Sequence, residues 1–324
     1  MTISEHFDSF EDTASGDGTF LADVVSGLSA SSKSLPCKYL YDETGSKLFD
    51  RVCDAEDYYP TRTETSILEA YGAKMAAAIG PGAELIEYGS GASKKVRILL
   101  DALIDPVAYV AVDISKEFLL QSAEALAADY PVLNHHALCA DFTKPFSLPD
   151  DIVASGRRAV GFFPGSTIGN FTRGDARDFL SGCVKTLGVG GGLLIGVDLK
   201  KDKRILDAAY NDSDGITEAF NLNLLKRINR ELGGAFDIDC FAHLAFYNER
   251  EGRVEMHLES LADQRVQVGE KSFQFRKGER IHTENSYKYA IEEFQALATA
   301  CGFSPVTVWT DDNHLFSVHF LDVS

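Results

Sequence analysis

The chain has 324 residues, 45% of them hydrophobic, enough for one large domain or two smaller ones with buried cores. Its 49 acidic residues against 31 basic ones leave a formal charge of −18, a field that repels nucleic acid and anionic membranes and excludes polyanions as general partners. The acidic start MTISEHFDSFED lacks the basic and apolar regions of a signal peptide, and no later apolar run reaches the roughly 18 residues of a membrane span. Cys37, Cys53, Cys139, Cys183, Cys240 and Cys301 are scattered, with neither a CxxC nor a Cys/His pair at zinc-ligand spacing, so free thiols, no metal and a reducing cytoplasm are expected.

Residues 1–18 are acidic, rich in Ser, Gly and Thr, and without periodicity; they read as a mobile arm. A helical pattern at Thr19–Leu28 is followed by a Ser-rich loop from Ser29 to Ser34, and then by KYLYDETGSKLFDRVCD, where a turn at Gly45 leads into a short helix. Tyr58, Tyr59 and Pro60 end that segment as an aromatic loop. The next stretch, TRTETSILEAYGAKMAAAI, has apolar residues at helical spacing and stops at Gly80-Pro81-Gly82.

From Glu84 short apolar runs alternate with helical stretches, the texture of βαβ units and a parallel sheet. Strands are expected at Leu85–Tyr88, Tyr109–Val112, Leu133–Cys139, Arg158–Phe163 and Gly192–Asp198, with the clearest helices at Lys94–Leu103, Lys116–Ala128 and Asp175–Leu187. After Lys200 the alternation stops. A helix-rich stretch (Asp202–Leu232) and strand-like runs at Phe241–Tyr247, Arg253–Glu259 and Ser272–Phe275 suggest an inserted second domain. A helix at Ala290–Cys301 and strands at Ser304–Thr310 and Phe316–Leu321 return the chain to the sheet. The expected fold is α/β, a Rossmann-like sheet domain (62–200 and 286–324) with a second α+β substrate-binding domain (19–61 and 201–285).

Chemistry concentrates at strand ends. Glu87-Tyr88-Gly89-Ser90-Gly91-Ala92-Ser93 closes the first strand and opens a helix; its glycines let the backbone approach a ligand at the carboxyl edge of the sheet. The third glycine of GxGxxG and a terminal Lys-Ser/Thr are both absent, which weakens dinucleotide and P-loop readings. Asp113 ends the next strand about 20 residues on, where a ribose is gripped, and so suits either NAD or S-adenosylmethionine (SAM). Asp141-Phe142 ends the third strand with an acid for an adenine amino group and an aromatic ring to pack on it. The three together resemble the SAM pocket of class I methyltransferases. At the fourth strand end, Gly165-Ser166-Thr167-Ile168-Gly169-Asn170 lies where an acceptor meets the sulfonium. Asn170 offers a donor and an acceptor that suit an amino acid's ends, and it suits a turn equally well.

The blocks KYLYDETGSKLFD, YYPTRTE, EYGSGASKK, GSTIGN, NRELGGAFD, RVEMHL and TENSYKY, in this order, resemble the histidine-specific SAM-dependent methyltransferases over nearly the whole chain after about Ser32. That resemblance implies Nα-methylation of L-histidine, to Nα-trimethylhistidine (hercynine) in ergothioneine biosynthesis. It also implies SAM as co-substrate and a free amino acid as the small-molecule partner; a monomer is expected apart from the resemblance. It puts Tyr41, Gly89, Lys95, Asp113, Asp141 and Phe142 at SAM. Tyr58, Gly165, Asn170 and Tyr210 fall at the amino acid's backbone groups, Tyr58 and Asn170 being the catalytic candidates. Glu284 and Ser286 fall at the imidazole, with Met256 lining the same pocket. The residues themselves are consistent with this: Glu284 and Ser286 are two apart, so an extended segment points both to one face. Taken alone, Glu284 suits a surface pair with Arg280, Met256 ordinary core, and Tyr58 simple packing. Three alternatives remain: methylation of another amino acid or small amine, an NAD-dependent oxidoreductase that shares the Gly-rich loop and Asp113, and a non-catalytic SAM-binding or regulatory protein.

Overall fold

A computed structural model describes residues 7–13, 19–91 and 94–324 and divides the chain into two units. One comprises the chain up to Ser15, Pro60–Lys200 and Lys288–Ser324; the other comprises Gly16–Tyr59 and Lys201–Tyr287. The cuts expected after residues 61 and 285 fall after Tyr59 and Tyr287.

The first unit is built on an eight-stranded sheet. In chain order its strands are β1 (Ser9–Asp12), β2 (Glu84–Tyr88), β3 (Ala108–Asp113), β4 (Asn134–Cys139), β5 (Ala159–Phe163), β6 (Gly192–Asp198), β7 (Phe303–Thr310) and β8 (Phe316–Val323). Across the sheet they run β1-β4-β3-β2-β5-β6-β8-β7, all parallel except β8, which is antiparallel to both β6 and β7. All residues of β2 and β6 are buried, as strands covered on both faces must be. Helices Lys94–Ala102, Lys116–Asp129 and Arg173–Leu187 connect successive parallel strands. The last starts at an N-cap, Thr172, whose hydroxyl accepts from the Asp175 amide, and ends at Gly188 with φ 69°. The order turns back at β2, so the carboxyl ends of β2, β3, β4 and β5 form the edge where such sheets bind ligands. Met75, Leu85, Val96, Leu126, Phe162, Phe316 and Phe320 are among the core residues at this sheet.

Four local expectations are corrected. The arm 1–18 contains β1, held by a backbone ladder to β4 from Ser9↔His136 to Asp12↔Cys139; residues 1–6 and 14–18 lie outside the described residues. Tyr59 and Pro60 open the helix Tyr59–Ile79 rather than closing a loop, since a proline in the first turn has no amide to lose. Gly45 lies inside the helix Glu43–Asp54: its amide donates to the N-cap Asp42 at 2.7 Å, and a Cβ there would sit 1.7 Å from the Leu40 carbonyl oxygen. The last two residues of the Ser-rich loop, Lys33 and Ser34, pair in parallel with Ile281 and His282.

The second unit packs the helix Ile216–Leu232 against a four-stranded sheet ordered Lys33–Ser34, Arg280–Tyr287, Arg253–Ser260, Phe241–Asn248. A separate hairpin joins Gln264–Val268 to Lys271–Phe275. The strands Arg280–Tyr287 and Gln264–Val268 had no counterpart among the expected elements. Among the described residues no helix is long and apolar enough to cross a membrane.

Candidate functional site

In the first unit the strand ends converge as their order suggests. Gly89 (φ 74°) donates its amide to the Val112 carbonyl at 2.7 Å, and a Cβ on it would stand 3.6 Å from the Phe142 ring. Gly91 (φ 47°) donates its amide to Asp113 at 3.3 Å; Ala92 and Ser93 of the same motif lie outside the described residues. The other Asp113 oxygen accepts from Ser115 at 2.9 Å, and burial raises this carboxyl despite both donors. Asp141 accepts from the amide and hydroxyl of Thr143, which fixes the turn carrying Phe142. Phe142 stands edge-on to Tyr88 and Phe163.

The loop after β5 is held from two directions. Gly165 (φ 78°) donates its amide to both oxygens of Glu64, at 2.8 and 3.1 Å. Ser166 adopts a left-handed conformation (φ 55°), and its hydroxyl accepts from the Asp198 amide at 2.8 Å. Asn170 closes the short 3₁₀ turn Thr167–Asn170 and is half-buried. Asp198 itself forms a 2.6 Å ion pair with Lys288, with both side chains fully buried.

Glu64 is the residue that sequence reasoning missed here. It sits inside YYPTRTE, on the helix Tyr59–Ile79, and is 0% exposed. Besides Gly165 it takes the Lys95 ammonium at 2.5 Å, so one carboxylate binds two of the expected site residues. The available signal was an acid placed amid Thr, Ser and Ile on a face that the helical period buries. A carboxylate there needs a cationic partner.

Glu87 is another buried acid in this unit, 2% exposed. The Tyr109 hydroxyl donates to it, yet burial pushes its carboxyl up to about 8.

The second unit contains Tyr58, Tyr210, Met256, Glu284 and Ser286, whereas Gly165 and Asn170 lie in the first. The Tyr210 hydroxyl donates to Ser286 at 2.7 Å, and Tyr58 stands edge-on to Tyr210 with ring centroids 5.9 Å apart. Burial raises the Tyr58 and Tyr41 hydroxyls well above their ordinary range, so both are neutral phenols at neutral pH. Met256 and Glu284 are directly paired across neighbouring strands, as are Val254 and Ser286, and all four are buried. The surface pair open to Glu284 is not formed; Arg280 binds Glu259 instead, at 2.8 Å. Tyr41 also lies in this unit, edge-on to Phe49 and Phe220, while the other expected cofactor residues lie in the first.

Glu255, His257 and His282 place possible metal-ligand atoms within 4.8 Å of one another on the far face of the same strands. The Glu255 carboxylate is already engaged by Arg253, Asn248 and His257, and the Arg253 guanidinium beside it opposes a second cation.

A family described as histidine-specific methyltransferase, SAM-dependent, matches residues 20–323. The chain belongs to this family. Three relatives show the same likeness. Histidine N-alpha-methyltransferase of Mycolicibacterium smegmatis is 42% identical over 294 residues, covering 89% of this chain and 90% of that protein. Ergothioneine biosynthesis protein 1 of Neurospora crassa is 35% identical over 89% of this chain, which spans 33% of that longer protein. A 4-dimethylallyltryptophan N-methyltransferase of Aspergillus fumigatus is 30% identical, covering 89% of this chain and 88% of that one. Family membership removes the oxidoreductase alternative. The strand-end geometry fits SAM: glycines in left-handed conformations leave room beside the backbone, and Asp113 offers a carboxylate to a ribose.

Two outcomes follow from these buried acids. Glu64→Ala leaves the Lys95 ammonium and the Gly165 amide without their shared acceptor, and urea unfolding should show a loss of about 3 kcal/mol. For Glu87 the folded value, about 8, lies above the ordinary 4.5, so the folded state binds the extra proton and this contribution falls as pH rises from 4.5 to 8. The stability difference between Glu87→Gln and the parent should therefore grow in the variant's favour across that window, by at most about 1.4 kcal/mol per pH unit. A flat difference would place the proton elsewhere.

Proposed function

We propose that this enzyme transfers methyl groups from SAM to the α-amino nitrogen of L-histidine, and does so three times to give Nα,Nα,Nα-trimethylhistidine (hercynine) for ergothioneine biosynthesis. The observation that carries the substrate is the 42% identity to a histidine N-alpha-methyltransferase over 89% of this chain; Met256, Glu284 and Ser286, which the sequence resemblance assigns to the imidazole, share one side of a strand pair and so support it. The name of the Neurospora relative supports the pathway.

When bound, SAM supplies an electrophilic methyl group, whose S–CH₃ bond breaks as the N–CH₃ bond forms, with S-adenosylhomocysteine leaving. The protein's part is alignment. Gly89, Lys95, Asp113, Asp141, Phe142 and Tyr41 are the residues that the family resemblance assigns to the methyl donor. Asn170 and Tyr210 hold the carboxylate of the amino acid, the Tyr210 hydroxyl turning its proton from Ser286 to that carboxylate, and the Gly165 carbonyl and Tyr58 orient its amine. The acceptor nitrogen must be neutral to offer a lone pair. Tyr58, a phenol kept protonated by burial, accepts from an amine N–H while one remains and so leaves the lone pair facing the methyl group; the proton lost before each transfer passes to solvent rather than to a phenolate. Glu284 and Ser286 address the two imidazole nitrogens, one accepting and one able to do either. The tryptophan-derived substrate in the Aspergillus relative's name gives a second reading, another amino acid in the same arrangement, with the residues around Met256 and Glu284 deciding between them.

Incubation with SAM and each amino acid in turn, read by mass, should give mono-, di- and trimethylated histidine as the main products. Absence of all three would overturn the substrate. Glu284→Ala should raise the histidine KM about tenfold or more while leaving SAM affinity near that of the parent, as loss of a hydrogen bond to a charged group implies. Unchanged histidine affinity would remove Glu284 from the imidazole.

A further inference from the structure

The side of the sheet on which Glu284 lies is set by one extra residue in its strand. Upstream, Arg280, Ile281 and His282 pair with Glu259, Leu258 and His257; downstream, Glu284 pairs with Met256 and Asn285 with Glu255. Thr283 is therefore left over between two consecutive partners, a β-bulge. Side chains alternate along a strand, so Arg280 and His282 share a face, and without the bulge Glu284 and Ser286 would join them there. The contacts show the reversal. Arg280 binds Glu259 and the His282 ring lies tilted against His257 on one face, and Tyr287 receives the Arg253 guanidinium on that same face. Glu284 and Ser286 take the opposite face with Met256 and Val254, where Tyr210 reaches Ser286.

A buried network pins the extra residue. Thr283, 1% exposed, donates its hydroxyl to the Asn221 side-chain oxygen at 2.7 Å and lies 3.1 Å from the Met256 carbonyl. Asn221, on the helix Ile216–Leu232, is 0% exposed and spends both amide protons, on the His257 carbonyl at 3.0 Å and on His243 Nδ1 at 2.9 Å. His243 Nε2 faces the Tyr210 carbonyl at 2.8 Å, which can only accept, so Nε2 carries the proton and Nδ1 is free to accept. This closes the network without an unmet Asn221 group and links the bulge to the backbone of Tyr210. A hydroxyl and an amide so placed in an apolar interior specify one strand register against its neighbours.

We propose that Thr283 and Asn221 are specificity-determining positioning residues: the bulge they hold turns Glu284 and Ser286 from the outer face of the sheet to the substrate face. The inference rests on the reading that Glu284 and Ser286 bind imidazole. Neither Thr283 nor Asn221 touches the reacting atoms.

Thr283→Val keeps the shape and removes the hydroxyl, and Thr283→Ala does so with less bulk should Val fail to fold. Thr283→Ser keeps the hydroxyl. Steady-state kinetics with histidine and SAM varied separately, and with phenylalanine as a competing acceptor, are measured on each together with Glu284→Gln. The expected result is a histidine KM raised about tenfold in the Val and Ala variants. kcat and the SAM KM stay within about twofold, preference for histidine over phenylalanine falls, and Ser restores both. Equal losses in the SAM and histidine terms, or a Ser variant as poor as Ala, would reduce the network to scaffolding and overturn the proposal. If Glu284→Gln raises the histidine KM while Thr283→Val and Thr283→Ala do not, the bulge proposal alone fails. If Glu284→Gln leaves the histidine KM unchanged, the imidazole reading beneath it fails.

Discussion

The Glu64 carboxylate is the constraint on which the first unit's ligand-facing edge depends. It is fully buried, binds the Lys95 ammonium on one side and the Gly165 amide on the other, and packs so closely on β6 that a Cβ at Gly196 would fall 2.0 Å from its oxygen. Taking a carboxylate out of water is costly, and an ion pair in its place returns little net stability. Its evident use is geometric, because the helix behind the Gly-rich loop and the loop after β5 then share one fixed reference point. The left-handed Ser166, held from the other side by the Asp198 amide, adds a second fixed point one residue on.

The two units use buried polarity differently. In the first, charged pairs such as Asp198–Lys288 and Glu64–Lys95 tie segments far apart in sequence. In the second, the neutral chain Thr283–Asn221–His243–Tyr210 sets the register of a strand. Neutral groups suit that task, because each donor and acceptor has one partner and no desolvated charge must be balanced.

Much of the first unit was legible because fully buried strands such as β2 and β6 leave continuous apolar runs, and because glycines and acids at successive strand ends follow from the parallel order itself. β1 was not legible. Its four residues, SFED, have no apolar alternation and are held by backbone pairing to β4, which no local pattern announces. The strand Arg280–Tyr287 was hidden for a related reason. The bulge at Thr283 interrupts the period of two, so RIHTENSY reads as irregular although both halves are regular. Glu284 and Ser286 could be placed on one face from spacing, yet which face could not be read, since that depends on a residue between two pairing registers. Glu64 escaped notice because an acid on a helix usually faces water, although Ile67 and Leu68 mark its side of Tyr59–Ile79 as the buried one.

Each unit is assembled from separated stretches of chain, and this governs how the protein emerges from a ribosome. The sheet of the first unit lacks β7 and β8 until residue 323 has been made, since β8 is the strand that pairs with β6. The four-stranded sheet of the second unit lacks the strand carrying Glu284 until Tyr287. Neither unit can close during most of translation, so the buried strands β2 to β6 wait with one edge open, in need of protection from neighbouring chains. An arrangement that interleaves two units in one chain thus exchanges stepwise, unit-by-unit folding for completion of both near the end of synthesis.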